Sequence, residues 1–357
     1  MKILCFHLAL APYRLDFFNI MSEMTDFKLV LLQDNLANQK FETNSLFARL
    51  NAKYSFLCGR HIFGRQIRLG IGRIVDEYAP QVVMGYESSL LTMQLLIWRM
   101  FNRRKVLIWT CMDDCPSMIL TRCGFRKWIR NLVIRYVDKI IVPSERAKEA
   151  YCVAIPNVGN EKFAVVPIIH DIASIRTNAA SVYSKGKAWR CAHIARKFNR
   201  VLLFVGRLTS VKNLVWLISQ MKEIDDETCL VIVGTGDLES ELRKIVKKIK
   251  VENRVLFVGR HEGDDLYSFM AMADGLILCS NHETYGAVVA EALQWGTPCI
   301  VSDNCGAVVL INDRVNGCIF KYNDIIDFLS ALNELPARTN KPILEVDLRT
   351  AISDLIK

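Results

Sequence analysis

Short apolar runs alternate with helix-spaced segments along this chain, and they do so twice. In the first half KILCFHLAL, FKLVLLQD, QVVMGY, KVLIWT and KIIVPS read as buried strands, separated by segments such as RLDFFNIMSEM and FRKWIRNLVIRYV. In the second half VLLFVG, CLVIVG, RVLFVG, GLILCS and PCIVSD alternate with LESELRKIVKKIKV and YGAVVAEALQW. Strands apolar on both faces, joined through helices, imply an α/β fold: two doubly wound, Rossmann-like parallel sheets. The reading places the first domain at 1–175, a linker with a lead-in helix at 176–199, the second domain at 200–335 and a C-terminal segment at 336–357. Ligands of such sheets sit beyond the strands' carboxyl ends, so both edges are expected to face an interdomain cleft.

Composition narrows the classes. The 357 residues exceed one comfortable core and suit two domains. The net charge of +9 is uneven: residues 1–171 hold 23 Lys+Arg against 15 Asp+Glu, and residues 172–357 hold 23 against 22. An anionic partner would therefore meet the first half. The twelve cysteines lie mostly in apolar runs, as reduced buried thiols do, and CMDDC at 111–115 has the wrong spacing for zinc. No metal is assigned. MKILCFHLALAPYR resembles a secretion leader, but His7 interrupts it and a first buried strand fits better. No apolar run reaches the roughly 20 residues of a bilayer span.

The residues after the strands of the second half carry the chemistry. VLLFVG ends in Gly206 and Arg207, with Lys212 shortly after; RVLFVG leads to Arg260; GLILCS leads to Glu283, followed by Thr284, Tyr285, Gly286 and Ala287 at the expected start of a helix. A helix start offers unpaired N–H groups and about half a positive charge. With Arg207 and Lys212 the fixed charge would be roughly +2.5, suited to a departing nucleoside diphosphate. Glu283 and Glu291 would then accept hydroxyls, of sugar and ribose respectively. Alone, each glutamate reads equally well as a helix-end partner or a solvated residue; the combination carries the signal.

FVGRLTSVKN, VGTGDLESEL, VLFVGR and HETYGAVVAEALQWGTPCIVSD, in that order, resemble the retaining glycosyltransferases of family 4, with the GT-B fold. The match is dense over 201–320. The resemblance implies that Arg207 and Lys212 hold the donor diphosphate, that Glu283 and Glu291 contact sugar and ribose, that Tyr285–Ala287 meet sugar and phosphate, and that the segment near Arg260 lies by the base. APYRLDFFNIM is similar to the first loop and helix of members serving bacterial surface-polysaccharide assembly, which makes Tyr13 and Arg14 acceptor-side candidates. Many members place a histidine after the strand that reads VLIWT here. This chain has Met112, Asp113 and Asp114, so Asp113 or Asp114 is the substitute candidate. Part of 322–357 is expected to return to the first domain, as the family's last helix often does.

The implied reaction is retaining transfer from a nucleotide-sugar, UDP-sugar favoured, to a hydroxyl of a glycan or lipid-linked glycan. With no D-x-D in the sequence, the cations and helix terminus would serve the leaving group without a metal cofactor. The basic residues Arg60, Arg65, Arg68, Arg73, Arg103, Arg104, Lys105, Arg122, Arg126, Lys127 and Arg130 would seat a cytoplasmic protein peripherally on an anionic membrane. A catalytically silent nucleotide-sugar binder is the alternative. A nicotinamide oxidoreductase lacks its G-x-G-x-x-G loop here, and no nucleic-acid-binding signature is present.

Overall fold

The computed structural model describes residues 1–35, 43–57, 59–62, 65–102, 105–194 and 196–357. The chain divides into two compact units, residues 1–171 with 347–357 and residues 172–346.

In the first unit the strands are β1 (Lys2–His7), β2 (Asp26–Leu31), β3 (Lys53–Phe56), a short antiparallel ribbon of β4 (Arg60–Ile62) and β5 (Arg65–Ile67), β6 (Val82–Tyr86), β7 (Leu107–Cys111), β8 (Lys139–Val142) and β9 (Phe163–Val165). Seven of them form one parallel sheet in the order β3-β2-β1-β6-β7-β8-β9. The order reverses direction between β1 and β6, which creates a crevice at their carboxyl ends. Ile3, Leu4, Cys5 and Phe6 are all buried, as a central strand covered on both faces requires. The Pro12–Met24 helix opens on a proline, whose missing N–H costs nothing at that position. Ser144 caps the Glu145–Ala154 helix, its Oγ accepting from the Ala147 N–H at 3.2 Å.

In the second unit β10 (Arg200–Val205), β11 (Thr228–Val233), β12 (Val255–Gly259), β13 (Gly275–Leu278), β14 (Cys299–Ser302) and β15 (Gly317–Phe320) form a parallel sheet in the order β12-β11-β10-β13-β14-β15. Its reversal lies between β10 and β13. Under one face, Trp216, Phe320 and Phe328 pack ring against ring, with centroids 5.2–5.7 Å apart.

Residues 176–199, expected as a linker with a lead-in helix, are mostly that helix, and it is built into the second unit. Ala179–His193 packs so closely on the Gly263–Met272 helix that a Cβ on Gly186 would lie 2.4 Å from the Ser268 carbonyl oxygen. Arg190 reaches Asp274 at 2.9 Å and the Met272 carbonyl at 2.8 Å. The basic, polar look of this stretch comes from side chains tying one helix to its neighbour. Beyond residue 346 the chain joins the first unit. There the Leu348–Ile356 helix is capped by Asp347 and held by Arg349 pairing with Asp171 at 2.7 Å and Glu23 at 2.8 Å.

The basic residues of the first half are only partly a surface feature. Arg68 is buried and donates to the Leu32 carbonyl at 3.1 Å; Arg130 is fully buried and donates to the Ile119 carbonyl at 2.9 Å. Arg73 pairs with Glu77 and Arg122 with Asp114. Arg103, Arg104 and the side chains of Arg60 and Arg65 lie outside the described residues. Among the described residues no helix is long and apolar enough to cross a membrane.

Candidate active site

The reversal point of the second sheet gathers most of the predicted donor residues. Arg207 follows β10, and Lys212 ends a short 3₁₀ turn, Ser210–Lys212, in the same connection. Glu283 follows β13, on the other side of the reversal. The Lys212 ammonium and the Glu283 carboxylate form an ion pair, both side chains being largely shielded from solvent. The two loops are also joined by the Asn281 N–H donating to the Val211 carbonyl at 2.8 Å. Arg207 is exposed and meets no carboxylate among the described residues. The expected fixed charge of roughly +2.5 is thus overstated, because Glu283 neutralises Lys212 and leaves Arg207 and the helix dipole uncompensated.

The helix begins at Ala287 and not at Thr284. Gly286 precedes the Ala287–Gln294 helix with φ 75°, a left-handed turn that glycine adopts without strain. Only glycine fits: a Cβ there would lie 2.8 Å from the Ala307 Cβ and 3.0 Å from Leu278. Thr284 and Tyr285 stand in the turn before it, Tyr285 buried. The Glu283–Thr284 backbone is braced from behind, the Gly306 N–H donating to the Glu283 carbonyl at 2.7 Å. Glu291 sits one turn into the helix, partly buried and on the same face as Ala287. Gly206 has its Cα beside the Lys212 side chain, where a Cβ would stand 3.5 Å from Lys212 Cε. Arg260 lies off this cluster in the fold's order, after β12, and is paired with Glu262 at the surface.

The corresponding edge of the first sheet holds the acceptor-side candidates. Tyr13 and Arg14 open the helix after β1, and Asp113 and Asp114 follow β7. Buried Arg14 pairs with Asp113; burial alone would lower its pKa, but the Asp113 charge raises it on balance. Asp114 is buried with both oxygens taken, one by Arg122 at 2.8 Å and one by the Tyr151 hydroxyl at 2.7 Å. That pattern braces the loop. His7, at the end of β1, is lowered to about 4 by burial and then by Arg14, and its Nδ1 lies 2.9 Å from the Ala9 carbonyl oxygen.

Glu87 was not singled out from sequence. It follows β6, across the reversal from β1, and adopts φ 46°, a left-handed conformation unusual for a glutamate. Its N–H donates to the Cys111 carbonyl at 2.6 Å and its carbonyl accepts from Thr110 Oγ1 at 3.0 Å, so the backbone is held there. The side chain forms no ion pair among the described residues, unlike Asp113 and Asp114. Desolvation, and then the charges of those two aspartates, hold its carboxyl above the ordinary range. The sequence signal was its place one residue past an apolar strand at the sheet's reversal. Replacing it by glycine should relieve strain of roughly 1–2 kcal/mol, against glycine's added unfolded-state entropy of about 0.5–1 kcal/mol. We expect Glu87→Gly to melt slightly higher than the parent in thermal denaturation; a lower melting temperature would show that the carboxylate itself stabilises the loop.

Residues 187–342, all within the second unit, match the family model described as Glycosyl transferases group 1. The chain is 37% identical over 120 residues to an uncharacterized glycosyltransferase of Methanocaldococcus jannaschii, covering 33% of this chain and 31% of that protein. It is 26% identical over 212 residues to the UDP-Gal:alpha-D-GlcNAc-diphosphoundecaprenol alpha-1,3-galactosyltransferase of Escherichia coli, covering 58% and 53%. The matched stretches therefore span about a third to a half of these curated relatives. Among solved structures, Anabaena HepE in complex with UDP superposes with a TM-score of 0.73 at 18% identity, over 93% of this chain and 89% of that one. The fold is that of the GT-B glycosyltransferases, built from two Rossmann-like units.

Proposed function

We propose that this protein is a retaining glycosyltransferase of family 4 that moves a sugar from a UDP-sugar to a hydroxyl of a glycan or lipid-linked glycan in polysaccharide assembly. The observation that carries the reading is the Lys212–Glu283 pair at the reversal of the second sheet, with Arg207 following β10 and the Gly286 turn opening the helix after β13. Its support comes also from the group 1 match over the same unit and from relatives named for sugar transfer, one of them to a diphosphoundecaprenol-linked acceptor.

In this reading the diphosphate lies between Arg207, Lys212 and the N–H groups at Ala287. Its entry draws Lys212 toward phosphate and frees Glu283 to accept sugar hydroxyls, while Glu291 accepts the ribose. The bond from the anomeric carbon to the phosphate oxygen breaks as the acceptor oxygen bonds to the same face. The acceptor proton passes to the departing phosphate oxygen, so positioning and electrostatics replace a tuned enzyme base. The cations would do this without a metal. Tyr13, Arg14, Asp113 and Glu87 are the proposed acceptor-side groups, and the protein is proposed to work in the cytoplasm, peripherally on an anionic membrane.

The test is a melt-shift screen with UDP and a panel of UDP-sugars, followed by transfer or hydrolysis of a labelled donor. We expect stabilisation by UDP, about 2.7 kcal/mol at a hundredfold excess over Kd, together with turnover. Stabilisation without turnover onto any glycan or water would mark a silent binder, and no shift with any nucleotide would end the reading.

A further inference from the structure

Two neighbouring helices of the first unit turn apolar side chains outward. On the Gly124–Tyr136 helix, Phe125, Trp128, Leu132 and Tyr136 recur at spacings of three and four, which is one stripe of a helix. Phe125 is 68% exposed and Trp128 57% exposed, and their rings stack at 5.7 Å. The opposite face of this helix, with Arg130, Val133 and Ile134, is buried, so the stripe points away from the core. The Leu90–Phe101 helix packs beside it, and Arg99 at its end donates to Asp138 and to the Tyr136 carbonyl. That helix exposes Ile97, Met100 and Phe101, the last at 82%. Large aromatic and aliphatic side chains this exposed on two adjoining helices mark a contact surface.

Charge decides what covers it. Residues 88–137 contain nine Lys or Arg and only two carboxylates, Asp113 and Asp114, both already ion-paired. Lys105, Arg126, Lys127 and Arg135 are exposed and meet no carboxylate among the described residues. A second copy of the chain would set this cationic surface against itself. An anionic bilayer would instead attract the cations to headgroups and take the aromatic rings at the headgroup–acyl boundary, where Trp and Tyr settle.

We propose that the outward stripe of the Gly124–Tyr136 helix, flanked by the exposed end of the Leu90–Phe101 helix, is the membrane-contact face of this protein and docks on anionic lipid. The proposal rests on the functional reading above and deepens it, placing on the fold the anionic-membrane contact proposed there. It also narrows the basic run that the sequence presents to Lys105, Arg126 and Lys127, with Arg135 added, since Arg68, Arg122 and Arg130 are committed to the fold.

The test is sedimentation of the full chain with vesicles of phosphatidylcholine alone or of equal parts phosphatidylcholine and phosphatidylglycerol. We expect pelleting with the mixed vesicles and little with the neutral ones. Phe125→Ser with Trp128→Ser, and separately Arg126→Glu with Lys127→Glu, should each weaken partitioning about tenfold or more. Both pairs are exposed, so melts and the UDP shift measured without vesicles should match the parent. Equal pelleting on both lipids, no pelleting, or retention of binding by either double variant would overturn the docking face. So would self-association of the parent that the aromatic variant abolishes. Loss of the UDP shift in the parent, with vesicle binding intact, would instead sink the transfer reading and leave the docking face standing.

Discussion

Lys212→Ala should cost about 10²–10³-fold or more in sugar transfer, the scale for removing a preorganised group that faces developing charge. The lysine comes from the loop after β10 and reaches Glu283 from the loop after β13, so one side chain links both sides of the sheet's reversal. Removing it takes a cation from the diphosphate and leaves Glu283 without its partner. The second effect is modest for folding, about 1–2 kcal/mol, because Glu283 keeps some exposure and can take water. Steady-state transfer, UDP affinity by calorimetry and thermal melts separate the two. Turnover should collapse and UDP affinity fall about tenfold, while the melt drops by only a few degrees. Glu283→Ala should also collapse turnover, but it frees Lys212 and should leave UDP affinity equal to or above the parent's. Near-parent turnover in Lys212→Ala would show that the pair merely staples two loops.

Much of this was legible in the sequence, and the exceptions have physical causes. The ten apolar runs all became strands because a parallel sheet covered on both faces demands continuous burial, which composition displays directly. β3 escaped because its residues are largely exposed at the sheet edge, so KYSF carries no apolar run. β9 is a three-residue edge strand, too short for periodicity to register. The lead-in helix, Ala179–His193, was expected within a linker and not as part of the second unit because its anchoring contacts are Arg190 with Asp274 and Lys185 with Asp265, which read from sequence as solvated charge. At the site, spacing pointed to Arg207, Lys212, Glu283 and the glycine turn. The Lys212–Glu283 pair could not be read, since its members lie 71 residues apart and meet only through strand order. Glu87 was hidden for the same reason: what distinguishes it is a backbone angle and a side chain with no ion pair among the described residues, beside two paired aspartates, neither of which a residue letter encodes.

The largest stability effect should come from Gly234→Ala, a single methyl group. Gly234 follows β11 at φ 142°, and a Cβ there would lie 1.9 Å from the Gly206 carbonyl oxygen and 2.9 Å from its carbonyl carbon. The obstacle is backbone, so no rotamer change relieves it. Both residues are also fixed from the other side: the Gly206 N–H donates to the Val233 carbonyl at 3.0 Å, and the Gly234 N–H donates to the Gly259 carbonyl at 2.7 Å. The loops after β10, β11 and β12 are therefore one braced layer, and room for a methyl must come from moving Gly206, the residue before Arg207. We expect a loss of about 3–5 kcal/mol, from overpacking and backbone strain together. That corresponds to a fall of roughly 6–20 °C in the melt of a unit this size, accompanied by loss of the UDP shift. Gly259→Ala is the matched control. Gly259 also has positive φ, 80°, but a Cβ there meets nothing within 4 Å, so only the conformational cost of about 1–2 kcal/mol applies. Equal melting of the two variants would mean that backbone angle alone governs this edge, and that the contact between the Gly206 and Gly234 loops does not position Arg207.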